Sequence, residues 1–383
     1  MQIYIHIPFC KQKCRYCDFN SYANCSDELI FDYLKRLNRE IDLAGNRFGK
    51  RGENTLVTSI FIGGGTPSLI DENEIKNLLE NINNDFEIAQ GAEITIEANP
   101  ESLTEKKLSA YKSASVNRLS MGVQSLSDDN LKAIGRIHDK KTALERLKLA
   151  KSYFENLSCD LMIGLPFDTP ELVKEEVETL IKSVEHLSCY QLILEEGTPL
   201  EKLVREGKIS LPSDDEVVDL MNVVVDVLRT HGFERYEVSN FAKNGRFSRH
   251  NFGYWTREEY LGLGAGASTY LKARKDENNL ALDTRFSSKN GIEEYVKSVD
   301  IVNDYFEIER ENVEKLSQDE IYDEKIMLGL RTSFGVEREL IDEKYLEMYA
   351  KYFVQKGDRV ALNDDGLSVM NAILVDLMRF KKE

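Results

Sequence analysis

Short apolar, β-branched runs at residues 3–7, 59–63, 93–97, 118–123, 157–163 and 190–194 alternate with segments of helical periodicity. The clearest helical segments are 27–44, 72–82, 140–154 and 171–186. Six such repeats leave few folds open. Parallel strands need covering helices, and right-handed crossovers curl the sheet toward a barrel. The expected fold class is α/β, a partial (β/α)6 barrel. In that architecture the C-terminal strand ends form the active face. The chemically unusual residues collect there. Residues 10–17 follow strand one, and Gly63-Gly64-Gly65-Thr66-Pro67 follows strand two. Glu97-Ala98-Asn99-Pro100 follows strand three, Gln124 follows strand four, and Asp160 lies in strand five.

Beyond the repeats, a helix is expected over 214–231 and a strand over 235–241. An aromatic, glycine-rich stretch runs to residue 270, and 276–290 reads as a polar loop. From 303 the pattern changes. Amphipathic segments 320–330, 337–356 and 367–379 flank a hairpin-like stretch at 360–366, which suits a small helical or winged-helix-like unit. The expected units are therefore a β/α core at 1–212, a barrel extension at 213–302 and a C-terminal domain at 303–383.

The net charge of −17 repels phosphate backbones and anionic lipid, so nucleic acid is not an expected partner. No run of about 18 apolar residues occurs. The start of the chain is strand-like and lacks the basic-then-apolar pattern of a signal peptide, so a cytoplasmic location is expected. Three of the six cysteines crowd into residues 10–17, too close for a disulfide framework and suited to a metal site in a reducing compartment. Cys159 and Cys189 sit in strand-like runs and read as small buried apolar groups.

The cysteine text is His6-Ile7-Pro8-Phe9-Cys10-Lys11-Gln12-Lys13-Cys14-Arg15-Tyr16-Cys17, a C-x3-C-x2-C pattern. Three thiolates on one loop can ligate three irons of a cubane cluster and leave the fourth iron open. Phe9, Tyr16 and Phe19 would shield it. Zinc is the other reading, but it wants a second cysteine pair, and Cys25 or His6 would make an atypical fourth ligand. The consecutive glycines 63–65 allow close backbone approach to a ligand. They are not a P-loop, because no Gly-Lys-Ser/Thr follows. The string Gly262-Leu263-Gly264-Ala265-Gly266-Ala267 fits G-x-G-x-x-A, but a helix-like 256–260 precedes it and β-like residues follow, so a dinucleotide site is rejected.

Nearly end to end, the chain resembles the coproporphyrinogen-dehydrogenase-like branch of the radical S-adenosylmethionine (SAM) superfamily. The matching strings are Tyr4-Ile5-His6-Ile7-Pro8-Phe9-Cys10, Gly63-Gly64-Gly65-Thr66-Pro67-Ser68, Glu97-Ala98-Asn99-Pro100, Gly135-Arg136-Ile137-His138 and Asp160-Leu161-Met162-Ile163-Gly164-Leu165-Pro166. The resemblance implies a radical-SAM barrel with a [4Fe–4S] cluster on Cys10, Cys14 and Cys17. One electron from that cluster would cleave SAM chelated on the open iron. It further implies Gly64, Gly65 and Thr66 at the amino-acid end of SAM and Glu97 at its ammonium. Arg136 would meet its carboxylate, Gln124 and Asp160 its ribose or sulfonium, with Tyr4 and Tyr16 alongside.

Two functions divide this branch. The oxygen-independent coproporphyrinogen III oxidases continue the motif to a fourth cysteine and carry an N-terminal extension. Here the fourth position is Phe19, and the chain starts three residues before Tyr4. The haem chaperones lack both features and carry a His-Asn-x-x-Tyr-Trp string, here His250-Asn251-Phe252-Gly253-Tyr254-Trp255. The chain is therefore expected to resemble the haem chaperones, with haem as cargo and haem-accepting proteins, such as membrane respiratory enzymes, as partners. His250 is the expected axial ligand, oriented by Asn251 or Tyr254. The resemblance also implies peripheral association with the membrane, while the sequence leaves open whether the chain is a monomer or a homodimer. Coproporphyrinogen III oxidation is the alternative. An RNA-acting radical-SAM enzyme is a third reading, which the acidic balance opposes.

Overall fold

A computed structural model of the chain describes residues 1–274, 282–300 and 302–379. Six parallel strands follow one another in chain order: β1 (Gln2–Ile7), β2 (Leu56–Gly64), β3 (Glu87–Ala98), β4 (Arg118–Gln124), β5 (Asn156–Ile163) and β6 (His186–Gln191). Between them lie helices α1 (Asp27–Phe48), α2 (Glu72–Asp85), α3 (Glu105–Ser113), α4 (Asp128–Ala133), α5 (Lys140–Lys151) and α6 (Pro170–Leu180), and after them come α7 (Pro199–Arg205), α8 (Asp214–Thr230), α9 (Arg249–Trp255) and α10 (Ile292–Asp300). The sheet is α/β and open at both edges, as the partial barrel requires.

Alternation along each strand divides the two faces. In β1, Ile3, Ile5 and Ile7 are fully buried in the main apolar core. Tyr33, Leu34, Leu37, Ile41, Ala44 and Phe48 of α1 belong to the same core, at helical spacing along one face. Ser26 starts α1 by accepting the Leu29 N–H, and Asp27 and Glu28 suit its positive end. The opposite register of the strands is polar: Gln2 and His6, Ser59, Glu93 and Thr95, Arg118, Ser158 and His186 are all buried. A barrel lined with such groups must hold them by hydrogen bonds. Ser158 Oγ lies 2.7 Å from His186 Nδ1, and His186 Nε2 lies 2.8 Å from the Tyr236 hydroxyl.

Further strands extend both edges: β7 (Glu234–Arg235), β8 (Asn240–Ala242), β9 (Tyr260–Leu263), β10 (Ser268–Leu271), β11 (Asp283–Ser288) and β12 (Arg310–Leu316). The order is β12-β11-β10-β9-β1-β2-β3-β4-β5-β6-β8-β7. The sheet thus continues beyond residue 302, where a change of unit was expected. Towards the C-terminus, α11 (Gln318–Gly329), α12 (Glu343–Met348), α13 (Asp364–Ser368) and α14 (Met370–Arg379) accompany a three-stranded antiparallel sheet of β13 (Val336–Glu337), β14 (Phe353–Lys356) and β15 (Arg359–Leu362). Ile326, Leu330, Val336, Tyr345, Val360 and Leu374 form a second apolar core there.

Several expected boundaries move. The sixth strand ends at Gln191 rather than spanning 190–194, and Ile193 and Leu194 are exposed beyond it. The helix expected to reach 186 stops at Leu180, and Ile181 and Val184 pack into the connection. The strand expected at 235–241 is a β7–β8 hairpin. Within the expected loop 276–290, residues 276–281 lie outside the described residues and 283–288 form β11. The helix-like reading of 256–260 fails, because Arg257 takes a positive φ of 55° and Tyr260 opens β9, parallel to β1. The segment 337–356 is a strand, a short helix (Glu343–Met348) and a second strand, and the hairpin turns at Gly357.

Candidate active site at the cysteine loop

The chain leaves β1 through Pro8 and enters the cysteine loop over a two-residue parallel pair, Phe9–Cys10 with Tyr22–Ala23. Backbone bonds hold this entrance: Gly65 N donates to Ile7 O at 2.8 Å and Thr66 N to Phe9 O at 2.8 Å. The far limb rests on the end of α4, where Arg15 N donates to Ile134 O at 2.9 Å. The loop is therefore tied to β2 and to the α4 exit.

Glycine is required where β2 meets this loop. Gly64 has φ +117°, and a Cβ there would stand 2.6 Å from the His6 ring. At Gly65 it would come within 3.0 Å of Cys10 Sγ and 2.9 Å of Phe9 O. Thr66 Oγ1 donates to Cys10 Sγ at 3.5 Å.

Cys10, Cys14 and Cys17 share one cavity of about 350 Å³ with Tyr16, Gly64, Gly65, Thr66, Glu97, Gln124, Arg136 and Asp160. Asn99, Glu101, Met162, Tyr190 and Ile193 also line it. Arg136 binds three elements at once: Nη2 donates to Asn99 Oδ1 at 2.8 Å and to Gly122 O at 2.7 Å, and Nη1 donates to Cys14 Sγ at 3.5 Å. Burial works against its charge, but Tyr16, Cys14 and Glu101 hold its pKa above the usual value. Burial raises the Cys10 and Cys14 thiols, opposed by the Thr66 hydroxyl and the Arg136 guanidinium respectively.

Two carboxyls sit deep in the cavity. Glu97 Oε2 accepts the Gly64 N–H at 3.1 Å. Burial, with the Asp160 charge behind it, pushes Glu97 up to about 8. Burial also raises Asp160, which accepts from Ser120 Oγ at 3.5 Å. Gln124 takes an unusual positive φ of 69° at the β4 bulge, and its Oε1 accepts the Tyr190 hydroxyl at 2.7 Å. Sequence reading did not single out Asn99, Tyr190 or Met162 as site residues. Asn99 and Met162 lie inside strings that were quoted, and Tyr190 carries only an aromatic signal at a strand end.

Four expected site residues lie elsewhere. Tyr4 does not line the cavity; its hydroxyl lies 3.0 Å from His6 Nδ1. The His-Asn-x-x-Tyr-Trp string forms α9 (Arg249–Trp255), against the N-terminal ends of the strands. Glu93 caps it by accepting the N–H groups of Arg249 at 3.0 Å and His250 at 3.1 Å. His250 is fully buried, with Nδ1 2.9 Å from Ser59 Oγ and Nε2 2.9 Å from the Tyr254 hydroxyl. Burial, helped by the Arg118 charge, lowers its pKa to about 3, so the ring is neutral. Ser59 precedes Gly64 by five residues, so His250 sits about 16 Å down the strand from the cysteine site. In this geometry both ring nitrogens are engaged, and the expected free axial ligand is absent. Asn251 N donates to Ser248 Oγ at 3.4 Å within the same helix start.

A parallel β/α sheet with a C-x3-C-x2-C loop at the C-terminal end of its first strand defines the radical-SAM class. The profile of the radical SAM superfamily matches residues 4–180. Heme chaperone HemW of Bacillus subtilis is 37% identical over 345 residues, covering 89% of this chain and 86% of that protein. Heme chaperone HemW of Lactococcus lactis is 35% identical, covering 91% and 86%. The chain matches the solved structure of coproporphyrinogen III oxidase (HemN) from Escherichia coli with a TM-score of 0.79 at 20% identity, covering 99% of this chain and 90% of that one. That last match shows a common fold. The chain belongs to the radical SAM superfamily and, within it, to the family of the heme chaperone HemW proteins. Membership implies a [4Fe–4S] cluster and SAM.

Proposed function

We propose that the chain is a haem chaperone that holds a [4Fe–4S] cluster on Cys10, Cys14 and Cys17, binds SAM beside it and passes haem to acceptor proteins. The observation that carries the cofactor reading is the sharing of one cavity by three thiols and the Gly64–Glu97–Asp160 wall. Among the described residues, no three His, Cys, Asp or Glu side chains converge on a single ion. Three thiols of one loop on one cavity are the ligand set that a cluster with one open iron would use. Cys25 lines a neighbouring groove that Cys10 also borders, Cys159 and Cys189 are buried in the sheet, and none of the three lines the cavity, so a fourth iron would be left without a thiolate.

When bound, cluster and SAM supply one-electron cleavage chemistry. The protein's part is to seat and shield them. The backbone at Gly64 and Gly65 and the Thr66 hydroxyl would hold the methionyl end of SAM. Glu97 would receive its ammonium, Arg136 its carboxylate, and Gln124 and Asp160 its ribose or sulfonium side, with Tyr16 on the flank. The names of the relatives support haem as the cargo. Haem ligation through His250 requires one ring nitrogen to be freed, from Ser59 or from Tyr254, with Asn251 or Tyr254 then orienting the ring. The acceptors in this reading are haem-requiring proteins, including membrane respiratory enzymes, met by a homodimer at the membrane surface. No helix among the described residues is long and apolar enough to cross a membrane.

The test is anaerobic reconstitution with iron and sulfide, followed by haem titration at the Soret band beside a coproporphyrinogen III assay. Stoichiometric haem binding without porphyrinogen turnover is expected. Turnover without stable haem binding would replace the chaperone reading with the oxidase reading.

A further inference from the structure

A carboxyl behind the cavity wall has no part in the site as described above. Glu176 on α6 is only 2% exposed, and among the described residues no basic side chain lies within ion-pair distance of it. Its Oε1 accepts the Ser125 hydroxyl and the Leu126 N–H, both at 2.6 Å, while its Oε2 is buried without a partner. Burial pushes the carboxyl up to about 7, against the hydrogen bonds from Ser125 and Leu126. A proton on Oε2 therefore leaves Oε1 free to accept both donors. Burying a lone carboxyl is unfavourable, so its retention here calls for a reason.

The reason lies in what it holds. Ser125 and Leu126 directly follow Gln124, which sits at a bulge where the register against β5 slips. Gln124 has φ +69°, a conformation that L-residues keep only where their surroundings impose it. Two side chains from outside grip this turn. His138 Nε2 lies 3.1 Å from Val123 O, and Glu176 takes the two residues on the other side of Gln124. So held, the Gln124 amide lines the cavity. Its Oε1 accepts the Tyr190 hydroxyl at 2.7 Å, and its Nε2 makes no hydrogen bond among the described residues.

We propose that Glu176 is a positioning residue for the cavity: it holds the Gln124 turn so that the free Nε2 of Gln124 meets the ribose or sulfonium side of SAM. The inference rests on the SAM reading above. Glu176 itself touches no ligand and acts through Gln124.

The experiment measures SAM affinity by anaerobic calorimetry on the full chain with its reconstituted cluster. Glu176→Ala should weaken SAM about five- to tenfold. Iron per chain and the EPR spectrum of the reduced cluster without SAM should stay as in wild type, because the cysteine loop is untouched. Glu176→Gln keeps the Oε1 acceptor and should stay within about twofold of wild type. In a Gln124→Ala background, Glu176→Ala should have no further effect, since the group it positions is gone. Effects of the two substitutions that add in full overturn the proposal. So does wild-type affinity in Glu176→Ala, or an equal loss in Glu176→Gln. If Glu176→Ala does not fold, Ser125→Ala removes one of the two contacts and enters the same cycle, with full additivity or unchanged affinity again overturning the proposal. A Gln124→Ala chain that binds SAM as wild type does overturns the role of Gln124 and the proposal with it. A wild-type chain that binds no SAM overturns the SAM reading itself, before any variant is compared.

Discussion

Glu40 on α1 and Arg310 on β12 form a buried ion pair of 2.9 Å that ties the first helix to the last strand of the large sheet. Glu40 is fully enclosed, and its other oxygen accepts the Gly264 N–H and the Tyr295 hydroxyl, each at 2.8 Å. One carboxylate thus fixes the glycine-rich turn after β9, the helix over Ile292–Asp300 and the sheet edge. Glu40→Ala would strand the Arg310 guanidinium and should cost about 3–5 kcal/mol. Urea unfolding checks this. A loss under 1 kcal/mol would show that the pair is hydrated and replaceable.

At the rim of the site, Gly64→Ala should prevent cluster loading rather than folding. The new methyl group meets the His6 ring at 2.6 Å in a backbone conformation that L-residues rarely adopt. Iron per chain should fall several-fold, with the melting temperature lowered by only a few degrees. Full iron content would refute the steric account.

SAM affinity should depend on pH through Glu97. With its carboxyl near 8, the residue is mostly protonated at neutral pH. The SAM ammonium favours the carboxylate, so binding must release that proton. Affinity should therefore rise with pH up to about 8, by at most about tenfold per unit, and level off above. Calorimetry in buffers of different ionisation enthalpy reads the released proton directly. Glu97→Gln should bind more weakly and flatten the profile; an unchanged slope would dismiss Glu97 as the linked group.

His250→Ala removes two buried hydrogen bonds and part of the α9 packing against Phe61, whose ring centroid lies 5.1 Å from the imidazole. A loss of about 2–4 kcal/mol is expected. The folded-state pKa of His250 is depressed, and that of His186 lies well below its usual value. As pH falls below about 6.5, unfolded imidazoles bind protons that the folded ones refuse. Stability should therefore drop on acidification toward pH 3, by up to about 1.4 kcal/mol per unit for each histidine. A shallower acid limb in His250→Ala than in wild type tests the assignment.

The β/α alternation and the site rim were legible because each feature is local. Cys10, Cys14 and Cys17 stand on one loop, and Gly64, Glu97, Gln124 and Asp160 lie in or just after single strands. What stayed hidden depends on tertiary placement. Ile193 and Leu194 read as strand because they are apolar, although both are exposed and Ile193 lines the cavity. Of the β9–β12 extension, β9 and β10 have only four residues each, and the extension rests on tertiary partners such as Glu40. The string at His250 marked the family but gave no sign of which end of the barrel it would occupy.

Placing α9 across the N-terminal strand ends turns a tube into a cup. Whatever reaches Cys10, Cys14 and Cys17 enters over the same lip by which it leaves. Occupants of such a vessel are stacked, not queued. A later arrival covers an earlier one, and departure runs in reverse order of entry. SAM lying deepest would then be held in place by any larger guest above it, and the guest's exit would set how long SAM stays.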